Sequence, residues 1–346
     1  MTALRTPRDL IAAGLASASD LAMLERVGGR YAVAVTPALA ALIQGGANDP
    51  IARQFIPSAA ELVTTLDERG DPIGDATHSP VKGIVHRYPD RVLLKVVSVC
   101  PVYCRFCFRR EMVGPGKSEA MDAGDLDAAL TYIAAHEEIW EVILTGGDPF
   151  MLSAAKAAAL TRRLEAIAHL KVIRWHTRMP VADPDRVDAA FVAAIRSASK
   201  PVYVAIHANH PRELSASMRA ACARMADAGI VLLGQSVLLH GVNDDIETLE
   251  ALMRGLVEAR VRPYYLHHPD LAPGTSHFRL TLEEGRSLVR QLRDRVSGLC
   301  QPDYVIDIPG GVSKALAAAS DVEMADEVSV RGRDDVWREY PPAVHP

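Results

Sequence analysis

The chain has 346 residues, a formal net charge of −5, 49% hydrophobic and 23% charged residues, the proportions of an ordinary globular protein. The acidic balance argues against a nucleic-acid footprint, and no run of about 18 uncharged apolar residues offers a membrane span. Charged Arg5, Arg8, Asp9 and Asp20 interrupt any signal-peptide core, and five cysteines, three of them clustered, do not form a secreted disulfide pattern, so a cytoplasmic enzyme is expected.

Residues 1–80 read as a helical N-terminal extension: alanine-rich stretches, then a loop-like run with Pro57, Pro72, Gly74 and Pro80. The run His86 to Arg91 leads into the first strand. Arg87 and Arg91 are candidate phosphate contacts and Tyr88 a candidate aromatic face, although an ordinary charged loop has the same composition. From Arg91 onward, β-rich runs alternate with helical patterns. Strands are expected at Val92–Val97, Trp140–Leu144, Val172–Trp175, Val202–Ile206, Ile230–Gln235 and Arg262–Leu266. After the first gap their starts recur roughly every 30 residues, the length of a βα unit. Helices are expected at Leu126–His136, Ala154–His169, Pro184–Ser197, Leu214–Ala228 and Ile246–Glu258, with Asp183-Pro184 as a helix start and Ala228-Gly229 as a helix end. This alternation is that of an α/β fold with a parallel sheet, either curved into a barrel or doubly wound and open. A barrel unit over 81–315 and a tail over 316–346, ending in Pro341-Pro342, complete the expected organisation.

The most informative motif follows the first strand. Cys100, Cys104 and Cys107 have the spacing C-x3-C-x2-C. Three thiolates on an iron–sulfur cube that takes four ligands leave one iron open, the mark of a catalytic rather than a structural metal site. Zinc would need a fourth ligand nearby, and no Cys or His follows closely. Arg105, Arg109 and Arg110 are expected to lower the thiol pKa values. Other candidates also lie at strand ends, where barrel chemistry gathers. Gly146, Gly147 and Asp148 follow the second strand. Their glycines would let backbone approach a ligand and the aspartate would offer an acceptor, though such a run is also an ordinary turn. His176 to Arg178, His207 to His210 and Gln235 follow later strands. Asp270 follows the sixth, and Asp307 lies in a further strand that turns at Pro309, with Lys314 beyond it. A lysine so placed is either a surface residue or the amine that carries pyridoxal phosphate (PLP).

The cysteine loop, with Phe106 before its third cysteine, resembles the signature of radical S-adenosylmethionine (SAM) enzymes. More broadly, the chain from about Asp49 through Lys314 resembles the lysine 2,3-aminomutase family. The resemblance rests on Gln54-Phe-Ile-Pro-Ser58, Asp71-Pro-Ile-Gly-Asp75, His78-Ser-Pro80, His86 to Arg91, the cysteine loop with Arg109-Arg110, Thr145 to Pro149, Gln235-Ser-Val-Leu-Leu239, Gly241-Val-Asn-Asp244 and Asp307 to Lys314. It implies a partial (β/α)6 barrel and an isomerase that uses a 4Fe–4S cluster, SAM and PLP to convert L-lysine to β-lysine by 1,2-amino migration. By the same resemblance Cys100, Cys104 and Cys107 hold the cluster, and Phe106, Gly146, Gly147, Asp148, His207 and Gln235 border SAM. Lys314 carries PLP, with Arg87, Tyr88 and Arg91 lining its site and Arg178 reaching the phosphate. Arg109 clamps the substrate carboxylate, while Asp270 and Asp307 hold the distal ammonium, because two converging carboxylates are costly without a cation between them.

The implied partners are a lysine substrate and a reducing donor such as flavodoxin or ferredoxin, with a homo-oligomer allowed and neither nucleic acid nor membrane expected. Asp245 stands where the clostridial type has a zinc-binding cysteine, so that zinc site is not expected, and Cys222 and Cys300 read as buried thiols. Alternatives are a β-lysine supplier for elongation factor P modification, an aminomutase for another amino acid, a radical SAM enzyme without PLP, and a non-catalytic iron–sulfur redox sensor.

Overall fold

The computed structural model describes residues 3–113, 121–197, 199–311, 313–318, 322–324, 328–331 and 334–339. It opens with four short helices, α1 (Pro7–Ala12), α2 (Leu21–Arg30), α3 (Pro37–Ala40) and α4 (Pro50–Phe55). Proline starts α1, α3 and α4, each time just after a Thr or Asp whose side chain caps the free N–H groups. Helices this short are not stable alone. They are held by burying Leu10, Leu24, Leu39, Ile51 and Phe55.

Among the described residues, a nine-stranded sheet follows in simple order: β1 (Ile84–Tyr88), β2 (Arg91–Val97), β3 (Glu141–Gly146), β4 (Val172–Thr177), β5 (Val202–His207), β6 (Val231–Val237), β7 (Arg262–His267), β8 (Asp303–Asp307) and β9 (Lys314–Leu316). Strands β2 to β8 run parallel, while β1 and β9 pair antiparallel at the two edges. The crossover helices are α5 (Ala123–Ala135), α6 (Ala154–Glu165), α7 (Met179–Ala182), α8 (Ala189–Ile195), α9 (Ala216–Asp227), α10 (Ile246–Glu258) and α11 (Leu282–Arg295). The sheet curves into a partial barrel with these helices outside, and the doubly wound alternative is set aside. Each expected strand is present within a residue or two. No helix among the described residues is long and apolar enough to cross a membrane.

Three local readings differ. The run read as a charged loop before the first strand is β1, a hairpin partner of β2 in which Tyr88 pairs with Arg91. The helix expected from Pro184 starts five residues later: Pro184–Arg186 is a 3-10 turn without a side-chain cap, and Asp188 caps α8 by accepting from the Phe191 N–H. The tail forms a small antiparallel sheet, β10 (Val322–Met324), β11 (Val328–Arg331) and β12 (Trp337–Glu339), and Pro341-Pro342 lie outside the described residues.

The pleat decides what faces the barrel interior. Trp175 packs edge-on against Phe150 at 5.9 Å, and Phe150 in turn meets Phe191 of α8 at 4.7 Å. Ile173, Trp175 and Thr177 therefore face the helices, and Arg174 and His176 face inward. Carried across the sheet by its register, the same parity turns Lys95, Thr145, His207, Gln235, His267, Asp307 and Lys314 inward. A closed barrel fills this space with layers of branched apolar side chains. Here Leu93, Ile143, Ala205, Leu233 and Val305 fill the inward face deeper down, but the positions at the C-terminal strand ends are polar, which fits a polar ligand at that end.

Candidate active site

Cys100, Cys104 and Cys107 lie in the loop after β2, and the N-terminal extension fixes that loop in place. The Tyr103 N–H donates to the Ala34 carbonyl (2.9 Å) and the Arg105 N–H to the Gln54 carbonyl (2.8 Å). Arg105 donates from Nε and from a terminal nitrogen (2.5 Å) to Glu61, and Arg110 also pairs with Glu61. Arg110 further donates to the carbonyls of Arg105 (2.9 Å) and Gly274 (3.0 Å). Burial outweighs charge at the thiols, although Arg109 pulls Cys100 down, and Arg109 and Arg110 pull Cys107 down, as expected. Arg105 and Arg110 are buried ties of the loop to Glu61. Desolvation raises the Cys100 pKa well above its ordinary value, pushes Cys104 up to about 11 and raises Cys107. Metal ligation deprotonates such thiols outright. Among the described residues no His, Cys, Asp or Glu group gathers as a single-ion site would. A cube bearing its ligands on separate irons fits the donor set, three soft sulfurs and no hard oxygen.

Glu61 is fully buried and compensates two buried guanidiniums. Glu61→Gln is expected to destabilise the fold by about 3–5 kcal/mol, because breaking a buried ion network leaves charge uncompensated. Urea unfolding of the metal-free protein checks this; an unchanged midpoint would remove Glu61 from the account.

The strand-end motifs are placed less simply than the spacing implied. A Cβ on Gly146 would meet the Val97 carbonyl at 2.3 Å, and one on Gly147 the Val99 carbonyl at 2.2 Å. These glycines therefore permit close packing of the β3 end on the root of the cysteine loop. The Asp148 carboxylate is already occupied: it accepts from Thr177 Oγ1 (2.7 Å) and from the N–H groups of Arg178 (2.8 Å) and Phe150 (3.0 Å). Arg178, expected at a phosphate, donates to Gln54 (2.7 Å) and Glu213 (2.6 Å) and faces the Cys104 thiol. It belongs to the cysteine end of the site. Its guanidinium also lies over Phe106 at 5.5 Å, and Phe106 packs edge-on against Phe278 at 6.0 Å.

His207 and Gln235 face inward, joined by two histidines to which the sequence reading gave no role, His176 and His267. His176 Nε2, His207 Nε2, Gln235 Oε1 and His267 Nε2 are all buried without a protein partner. Buried polar atoms are nearly always satisfied, so this row is fitted to a polar ligand. Desolvation keeps all three imidazoles neutral, His176 well below its ordinary value, His207 at about 3 and His267 lowered.

At the far side of the interior Lys314 opens β9. Its N–H donates to the Tyr88 hydroxyl (2.8 Å) and its Nζ to Asp307 (2.5 Å). Asp307 also meets Arg87 (3.4 Å) and His267 (3.5 Å). Burial opposes its charge, but His267 and Lys314 hold its pKa far below the usual carboxylate range. In this structure the cation that relieves Asp307 is thus the chain's own Lys314. Asp270 has the opposite balance: burial first, then the Asp307 charge, push it up to about 7, against the pull of Lys314, Arg109 and Arg87. Arg91 stacks on the Tyr88 ring at 3.8 Å and pairs with Asp90 (2.7 Å), at the opposite end of β2 from the cysteines.

Arg109 joins the two poles. It acts electrostatically on Cys100 and Cys107 on one side and on Asp270 and His176 on the other. The cysteine loop and Lys314 thus face one interior. A lysine whose backbone N–H meets the Tyr88 hydroxyl and whose amine meets Asp307, itself beside Arg87 and His267, fits PLP, which needs a lysine and cationic or hydroxyl donors. His176 stands among the strand-end candidates without a role, and Arg174 two residues before it marks the inward face of β4; His267 and the inward Lys95 are not singled out in the sequence, because only the register places them on that face.

Residues 94–253 match the family model described as the radical SAM superfamily. The L-lysine 2,3-aminomutase of Acetoanaerobium sticklandii is 41% identical over 283 residues, covering 82% of this chain and 68% of that protein. That of Clostridium subterminale is 37% identical over 311 residues, covering 89% and 74%. With a cysteine loop and a cofactor-type lysine facing one polar barrel interior, the chain belongs to the L-lysine 2,3-aminomutase family, radical SAM enzymes that use a 4Fe–4S cluster, SAM and PLP.

Proposed function

We infer that the chain is an isomerase that moves the α-amino group of L-lysine to Cβ, giving β-lysine. The observation that carries the reading is that Arg109, two residues past Cys107, donates to the inward Thr145 (3.3 Å), while Lys314 and its partner Asp307 lie in the same inward row at the other edge of the sheet. When bound, the cluster and SAM supply a hydrogen-abstracting carbon radical, and PLP supplies a π-system that spreads the unpaired electron beside the migrating nitrogen.

The chain's own residues supply position and exclusion of water. Cys100, Cys104 and Cys107 would hold the cluster, with His207 and Gln235 among the groups bordering SAM. Lys314 would hold PLP, with Tyr88, Arg87 and Arg91 along its site. Arg109 would take the substrate carboxylate in a charge-assisted pair. Asp270 and Asp307 would take the distal ammonium. Fixing both ends of lysine selects which hydrogen is within reach. A flavodoxin- or ferredoxin-type donor, a cytoplasmic setting and self-association belong to the same reading.

The Asp270 carboxyl gives this reading a pH dependence. A group with a pKa near 7 must lose its proton to hold an ammonium, so lysine affinity is expected to be full above pH 7 and to fall by up to about tenfold per pH unit below it. Lysine binding to the cofactor-loaded protein, titrated from pH 6 to 9, checks this. The slope should vanish in Asp270→Asn, and a flat wild-type profile would remove Asp270 from the ammonium site. Product analysis after anaerobic incubation with lysine tests the function itself.

A further inference from the structure

Asp71-Pro-Ile-Gly-Asp75 belongs to no strand and to none of the roles above, yet it reaches the centre of the site. Gly74, with φ +68°, lies so close to the Gly310 backbone that a Cβ would come within 2.6 Å of it, and a Cβ on Gly311 would come within 2.6 Å of the Ile73 carbonyl. This segment of the N-terminal extension is therefore seated on the turn that leads into Lys314. Its own fold is fixed by Asp71, which accepts from the N–H groups of Asp75 (2.9 Å) and Ala76 (2.8 Å), and by Ser79, which donates to the Asp75 carbonyl (2.7 Å). From this seat the Asp75 side chain, 1% exposed, enters the interior between two arginines. One oxygen accepts from Arg109 Nε (3.0 Å) and lies 2.9 Å from a terminal Arg109 nitrogen in the same ion pair; the other lies 3.6 Å from Arg87. The remaining terminal nitrogen of Arg109 donates to Thr145 Oγ1 at 3.3 Å.

We propose that Asp75 is a positioning residue that presets Arg109 for the α-carboxylate of an amino acid substrate and holds it in register with the Arg87 and Lys314 side of the site. A guanidinium has five N–H donors in a rigid planar fork. Asp75 occupies its Nε edge and Thr145 one further N–H, and what remains is a donor at each terminal nitrogen, the pair that grips a carboxylate end-on. Because Asp75 is itself locked to the Gly310–Gly311 turn, the carboxylate grip and the cofactor lysine are set by one rigid piece of backbone. The proposal rests on the reading of Arg109 as the carboxylate clamp, and the experiment separates the two.

Dissociation constants for L-lysine and L-lysinamide, which lacks the carboxylate, are measured on cofactor-loaded protein through the PLP absorbance without reductant, followed by KM and kcat. Wild type should prefer lysine to its amide by about tenfold or more, a charge-assisted pair being worth that much. In Asp75→Asn this preference should collapse, with KM for lysine raised about tenfold, kcat changed much less, and iron and PLP contents unchanged. Asp75→Glu, which keeps the charge, should recover part of the preference. Equal binding of lysine and lysinamide by wild type would refute the Arg109 reading itself. A full preference in wild type that persists in Asp75→Asn would overturn only the Asp75 proposal. If Asp75→Asn fails to fold or to load, Asp75→Glu carries the same comparison; failure of both would make Asp75 a folding residue and also overturn it.

Discussion

Lys314→Ala is expected to remove PLP from the protein and lower turnover on the order of 10³-fold or more, while the iron content stays at the wild-type level. The separation follows from geometry. Lys314 is held at the edge of the sheet by its N–H bond to the Tyr88 hydroxyl and its ion pair with Asp307, whereas the cysteine loop is anchored independently to Glu61, Ala34 and Gln54. Truncating the lysine removes one partner of Asp307, which retains Arg87 and His267. Lys314→Arg sharpens the test. It keeps a cation beside Asp307 but offers no nucleophilic amine, so the fold should be kept and the PLP absorbance still lost. PLP retained by either variant would refute the assignment of Lys314.

Alanine at Cys100, Cys104 or Cys107 should have an effect of similar size at the other pole. Each variant is expected to fall from about four irons per chain to near none after anaerobic reconstitution, and to lose reductive cleavage of SAM. A cube with two protein ligands and two exposed corners is readily lost to chelators. The fold should survive, because the ties that hold the loop run through Arg105, Arg110 and backbone groups rather than the sulfurs. Far-UV circular dichroism checks that point. Cys222→Ser is the control. Cys222 is buried on α9 beside Met218 and remote in sequence from the loop, so its substitution should leave iron and SAM cleavage unchanged. A loop variant that kept its full iron would contradict the cluster assignment.

The barrel was legible because its strands are β-branched runs at βα spacing, a local signal. Strand β1 was not, because it is short and mixes His86, Arg87 and Tyr88 with a Pro89-Asp90 turn; such a strand reads as a charged loop until its hairpin partner is known. The cysteine spacing carries its chemistry in the chain itself, whereas Lys314 alone reads equally as a surface residue and takes its role from the family resemblance. Nor do the arginines carry theirs, because a guanidinium takes its role from where its carboxylate lies. Glu61 is 44 residues from Arg105, and Glu213 is 35 from Arg178. Those distant partners turn Arg105 and Arg110 into braces for the loop and draw Arg178 to the cysteine end. In the same way the close packing that the two glycines after β3 permit, against the Val97 and Val99 carbonyls, is set by residues distant in sequence. His176 was recoverable in principle, since Trp175 and its apolar neighbours fix the parity of β4 and place it on the other face.

One interior serving both cofactors on lysine is what the geometry requires. The most direct test is anaerobic incubation of the reconstituted protein with α-¹⁵N-labelled L-lysine, SAM, PLP and dithionite, followed by product analysis. β-Lysine carrying the label at Cβ is expected, formed only when all three cysteines and Lys314 are intact. Cleavage of SAM with the lysine returned unchanged, or a label that never leaves Cα, would contradict it.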